Sequence, residues 1–273
     1  MYKYLIFISL FFFGCSNVSH TCDLLEFNSK KLTAEQEKII EDYVTGCAHR
    51  YNYYTYEWQE CLDEGLKKDS TIAYLWQQKG MPYLKQQKYE IGLKYIDKAV
   101  KYDAKRYLSY RGFIKCIFTK DYRGAIADFQ KCLDEEGNLY VMDHTYNFYV
   151  GLSHLQLNEF EIAEAIFRED ILKQEEQFGE APYLDIFYYG ITQYEQKRWD
   201  NAIHAFEKVL EYYSNFSDVK YYLAISYWRT GNNAKYSELI AEGKKDAALG
   251  YTINEGNSIY EKYPYKVIWE HVE

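Results

Sequence analysis

An internal repeat constrains this 273-residue chain more than any other feature. A small residue returns at Gly46, Gly80, Gly112, Gly151, Gly190 and Ala224, at spacings of 34, 32, 39, 39 and 34 residues. A large apolar residue sixteen or seventeen places later keeps step with it, at Leu62, Ile96, Phe129, Phe167, Phe206 and Ile240. Between them an aromatic stands at Tyr89, Tyr122, Phe160 and Trp199, followed three places on by Gly92, Ala125, Ala163 and Ala202. Periods of this length belong to stacked units, none of which buries its apolar face alone. The chain holds 3 Pro and 15 Gly. That is well under the roughly 12% of average usage, and such sparse punctuation favours helices over a loop-rich β-protein.

The clearest copies read Trp199-Asp200-Asn201-Ala202-Ile203-His204-Ala205-Phe206 and Tyr122-Arg123-Gly124-Ala125-Ile126-Ala127-Asp128-Phe129. The pattern resembles the tetratricopeptide repeat, a unit of two antiparallel helices. The resemblance covers about residues 39–250 and implies an all-α fold, an α-solenoid of about six hairpins, with the domain taken as 32–250. Small residues at facing positions let the two helices approach, and the large residues plug the gaps between hairpins. The first and last units depart from the pattern, with Thr55 and Trp58, and Asn233 and Tyr236, at the aromatic and Ala places. Atypical terminal units are what caps look like. Residues 134–141 and 174–182, where units three and four are longer, are expected as inter-hairpin loops, and Pro82 is expected to kink or shorten its helix. Thr33 with Gln36 reads as a capping box, and Ser217-Asp218 as the opening of the last hairpin. Residues 251–263 are expected to form a capping helix over the open apolar end, stopped by Pro264, with a short tail to 273.

In the repeat family the first helices line a concave groove. Carried onto this register, the groove residues are Tyr43, Phe113, Phe148, Leu152, Phe187, Ile191, Tyr194, Tyr221 and Trp228. The resemblance thus implies an aromatic surface for a protein or extended peptide. The other reading is that these aromatics pack within the chain, with the C-terminal tail folded across them. Some family members clamp the carboxy-terminal tails of cytosolic heat-shock chaperones with Lys, Asn and Arg, and no unit here has that set.

Residues 1–14 have the layout of a secretory signal peptide: Lys3, an apolar run over 4–13, then Gly14 and Cys15. Ten helical residues span only ~15 Å against a bilayer core of about 30 Å, so the run is a signal and not an anchor helix. Leu10-Phe11-Phe12-Phe13-Gly14-Cys15-Ser16 resembles a bacterial lipobox. That likeness implies diacylglycerol on the Cys15 thiol, residues 15–31 as a tether, and lipid attachment to a membrane of the bacterial cell envelope, periplasmic or surface-exposed. Five cysteines then remain, Cys22, Cys47, Cys61, Cys116 and Cys132, and an odd number leaves at least one free thiol. Cys47/Cys61 and Cys116/Cys132 each fall on the two helices of one hairpin and could approach. The favoured reading is small buried hydrophobes.

A formal charge of −9, with acidic residues spread along the chain, argues against nucleic acid as a partner. No phosphate-binding loop, nucleophile elbow or zinc-protease motif occurs. None of the six histidines pairs at i,i+3 or i,i+4, and His154 is expected as a packed, satisfied side chain. Asp134-Glu135-Glu136 lacks the alternating spacing of a calcium loop. The expectation is a non-catalytic, lipid-anchored scaffold that binds protein or extended peptide and needs no cofactor or metal. Two alternatives stay open. One is a catalytic or small-molecule site between the repeats and 251–273, marked by converging carboxylate and His groups with shifted pKa values; the other is a cytoplasmic adaptor.

Overall fold

The computed structural model describes residues 31–272; the signal peptide, Cys15, Cys22 and nearly all of the expected tether lie outside them. Twelve α-helices among the described residues pair in chain order into six hairpins, an all-α solenoid of the expected kind. They are α1 (Ala34–Ile40) with α2 (Tyr56–Lys68), α3 (Ala73–Lys85) with α4 (Tyr89–Tyr102), and α5 (Ala104–Ile114) with α6 (Tyr122–Glu136). The series continues with α7 (Tyr146–Gln156) and α8 (Phe160–Phe178), α9 (Tyr183–Glu195) and α10 (Trp199–Tyr212), and α11 (Ser217–Arg229) and α12 (Asn233–Ala248). No helix among the described residues is long and apolar enough to cross a membrane.

Local chemistry sets the helix starts. Thr33 and Gln36 cap α1 reciprocally, side chain to backbone in both directions, as their spacing predicts. Asp103, Asp121, Thr145 and Asn232 each accept a backbone N–H from the first turn of α5, α6, α7 and α12. In the second to fifth hairpins the two repeat anchors are contact partners, and the rings of Phe129, Phe167 and Phe206 also reach Tyr149, Tyr188 and Tyr222 of the following hairpin, as plugs between units would. A methyl group on Gly112, Gly151 or Gly190 would lie 2.9, 3.0 or 2.6 Å from the ring of Phe129, Phe167 or Phe206, so each aromatic rests on a helix that has no side chain there. Every one of these rings is fully buried.

Several expectations are corrected. Residues 134–141 do not form a simple loop: α6 runs to Glu136, and Tyr140–Val141 pairs antiparallel with His144–Thr145 as β1 and β2. The second insert largely lengthens α8, which ends at Gly179 in the left-handed conformation, φ +85°. Helix α3 runs on past Pro82 to Lys85, so the proline does not end it there, although it has no N–H to give the carbonyl of Gln78. Ser217 opens α11 without a side-chain cap, and Asp218 is engaged elsewhere. Cys47 and Cys61 are joined in a disulfide that ties an irregular stretch after α1 to the middle of α2. Cys116 and Cys132 are buried free thiols, pushed up by burial to about 11 and about 12.

The capping helix over 251–263 does not form. Gly250 ends α12 at φ +86°, and residues 251–272 run as turns with one short 3-10 segment, Trp269–His271. Asn254, Gly256, Asn257 and Ser258 favour turns over helix, and the backbone groups a helix would satisfy internally bond instead to distant side chains of the solenoid.

Candidate functional site

The first helices α5, α7, α9 and α11 place a column of tyrosines at Tyr110, Tyr149, Tyr188 and Tyr222, one residue beyond Ser109, Phe148, Phe187 and Tyr221. Their spacings of 39, 39 and 34 residues follow the repeat. Two of these hydroxyls donate to backbone carbonyls of the C-terminal segment: Tyr188 to Pro264 O at 3.0 Å and Tyr222 to Tyr265 O at 3.1 Å. Asp218, at the start of α11, accepts the N–H of Ile253 at 2.8 Å and of Val267 at 2.6 Å. Burial raises its pKa above the ordinary carboxylate range, and the two N–H groups only partly offset that.

The segment therefore makes two passes. An outgoing limb leaves α12, buries Ile253 and carries Glu255 to His144. The tip reaches the second and third hairpins. There Gln87 donates to Tyr260 O at 3.4 Å, Lys120 donates to Lys262 O at 3.1 Å, and Glu261 accepts from Tyr89. The Lys85 ammonium stands 4.8 Å from the Tyr260 ring. A return limb then buries Tyr263, hydrogen-bonds Tyr265 to Glu195 at 2.9 Å, and lays Trp269 edge-on to Tyr221. Lys266 joins the two limbs through Ile253 O at 3.2 Å.

His144 forms the outgoing anchor. Its ring stacks on Phe148 with centroids 3.8 Å apart, Nε2 lies 3.1 Å from Glu255, and Nδ1 faces Asp185 at 3.7 Å, too long for a hydrogen bond. Burial alone would lower the imidazole pKa, but the two carboxylates outweigh it and hold it up at about 9. The imidazolium therefore carries charge at neutral pH between two acids. His154 is satisfied by Glu159 at 2.6 Å.

These contacts decide where the sequence-predicted groove residues lie. Phe113, Phe148, Leu152, Phe187 and Ile191 are at most 1% exposed, and they share one apolar cluster with Ile253 and Tyr263 of the tail. Buried in this way they offer no free surface: Phe113 packs on Tyr149, Phe148 on Phe167 and Phe187 on Phe206, within the solenoid, and the C-terminal segment joins the same cluster. Tyr43, half-buried, packs against Gly65 in the first hairpin and is not brought to the others. Tyr194 and Tyr221 are half-buried beside the return limb, and Trp228, 48% exposed, has the Arg229 guanidinium 4.6 Å from its ring centre and Tyr236 tilted beside it. The roles of Asp218, His144, Asp185 and Glu255 have no local spacing to betray them, because the partners that define the site lie 35 to 111 positions away. The recurring tyrosine was visible, and its in-step period was the available signal.

Residues 186–215 match the tetratricopeptide repeat family model. No curated protein matches the sequence. Among solved structures, PilW, a type IV pilus biogenesis factor, is similar over 81% of this chain and 97% of its own, with TM-score 0.62 and 15% identity. A tetratricopeptide repeat protein from Parabacteroides merdae is similar over 80% and 88%, with TM-score 0.61 and 16% identity. YrrB, a tetratricopeptide repeat protein with an unusual peptide-binding site, is similar over 70% and 94%, with TM-score 0.50 and 17% identity. At these identities the likeness is one of fold.

Proposed function

We propose that this protein is a non-catalytic scaffold of the bacterial cell envelope, held to a membrane by lipid on Cys15, whose concave groove binds an extended segment of a partner protein. One observation carries the reading: a non-helical polypeptide, the chain's own residues 251–272, already lies against the first helices, held through backbone carbonyls and N–H groups by Tyr188, Tyr222 and Asp218. Main-chain contacts of this kind grip any extended segment, and buried aromatic pockets select its side chains. The peptide-binding site for which YrrB is described and the pilus-biogenesis role of PilW support an interaction scaffold.

The Cys47–Cys61 disulfide supports export, because such bonds persist in oxidising compartments. The lipobox-like sequence ending at Cys15 supports acylation. His144 converges with Asp185 and Glu255, the side-chain types that a chemical site would need. With the ring 6% exposed and stacked on Phe148, however, the cluster serves to anchor the tail.

Site-specific photo-crosslinking in cells tests this function, with the probe at Tyr194 or Trp228 and, as a control, at Ile162 on α8, paired with metabolic labelling by fatty acid. The reading expects a discrete crosslinked protein from the groove positions alone, and label on the wild-type chain that a Cys15→Ser variant lacks. An unlabelled wild type removes the lipid anchor, and crosslinks equal at all three positions remove the groove.

A further inference from the structure

We infer that residues 251–272 are a resident competitor for the groove, and that the partner segment they stand in for presents an aromatic-Pro-aromatic run preceded by an acid, the chemistry of Glu261, Tyr263, Pro264 and Tyr265. The inference rests on the scaffold reading and states what the groove selects. Tyr263 belongs to the same apolar cluster as Phe148 and Phe187 and is 2% exposed. The carbonyls of Pro264 and Tyr265 meet tyrosine hydroxyls, and Glu261 meets Tyr89 and, at 3.9 Å, the Lys120 ammonium. Each contact is made by the backbone or by a side chain of one short run, so a segment from another protein with that run reproduces the set.

Three features make the tail exchangeable. It is joined to the solenoid through Gly250, whose φ of +86° lies in the region where glycine turns without steric cost. Tyr265 is held at φ +61°, a left-handed conformation that a bulky residue keeps only while Glu195 and Tyr222 pin it. The limbs are also undercut: a cleft of about 640 Å3 opens between them and α12, bordered by Lys244, Ala247, Ile259 and Ile268, and Ile259 is 77% exposed. A tail tethered in this way lowers the apparent affinity of any trans segment by its own closure constant, so loosening the tail raises trans affinity by the same factor.

The test uses the full chain and a synthetic peptide of residues 258–268 as probe, read by fluorescence anisotropy. The groove is left intact and only the tail is weakened, by Tyr263→Ala in one variant and, more gently, by Glu255→Gln in another, each checked for wild-type helix content. The expected result is binding to the Tyr263→Ala chain at least tenfold tighter than to wild type, an intermediate gain for Glu255→Gln, and loss when the peptide itself carries Tyr263→Ala. Equal affinity for all three folded chains, or no binding to any, overturns the inference. If that failure comes with groove-specific crosslinks in cells, the scaffold reading stands and only the assigned segment chemistry falls.

Discussion

The carboxylate of Asp218 accepts the N–H of Ile253 on one oxygen and of Val267 on the other, so one side chain at the start of α11 ties down both limbs of the C-terminal segment. The sequence marks Asp218 only as a helix-opening residue. Its place in the fold makes it the clasp of the groove.

Replacing Asp218 by Ala removes two hydrogen bonds to a charged acceptor, each of about 1.5–3 kcal/mol. The two bonds hold the tail and not the hairpins, so the expected outcome is rapid cleavage of residues 251–272 in limited proteolysis with the helical core still protected. Uniform cleavage along the chain would show that the tail is part of the cooperative core.

His144 sets a pH dependence. Its pKa is about 9 in the folded chain against an ordinary 6.5. Its charge with Asp185 and Glu255 therefore stabilises fully below pH 6.5, and the contribution is lost as pH rises through 9. The size is a few kcal/mol by linkage. Thermal unfolding followed from pH 6 to 9.5 should show the melting temperature of wild type falling, and a His144→Gln variant following a flatter course. Parallel profiles would remove His144 as the source. Tyrosines raised by burial add their own loss above this window, since they are neutral in the fold and ionise on unfolding.

The contact between Gly190 and Phe206 predicts a steric penalty that can be reversed. Gly190→Ala puts a methyl group 2.6 Å from the ring, and overpacking of this kind costs about 1–3 kcal/mol. Shortening the opposing side chain, Phe206→Leu, should make the double variant more stable than the sum of the single losses. A coupling energy near zero in the double-mutant cycle, measured by denaturant unfolding, would contradict the contact.

Reduction of Cys47–Cys61, which are separated by 14 positions, should destabilise the first hairpin by about 3 kcal/mol on the loop-entropy account. Stability in a solenoid is built from nearest-neighbour terms. Hydrogen exchange should therefore quicken in α1 and α2 while α9 to α12 keep their protection.

The sequence reveals the solenoid well, because what makes it is periodic: Gly112, Gly151 and Gly190 recur in step with Phe129, Phe167 and Phe206, and each pair is one contact. The register also assigns Phe148 and Phe187 to an inner surface, and both are buried in the apolar cluster. Whether that surface is open depends on contacts with no period. The open apolar end of the array and the stop at Pro264 suggest a covering helix over 251–263, yet Gly256 and its polar neighbours turn the chain, and Asp218 and His144 supply the partners from far away in sequence. Cys47 and Cys61 show the same limit. Spacing allows the bond, and three-dimensional proximity decides it.

Hydrogen–deuterium exchange of the wild-type chain at neutral pH, read at the amides of Ile253 and Val267, bears most directly on the central claim that the C-terminal segment occupies the groove. Those amides should exchange orders of magnitude more slowly than an unstructured chain and speed up on addition of a peptide of residues 258–268. Exchange at the unprotected rate in the free protein would mean that the groove stands open and that the account is wrong.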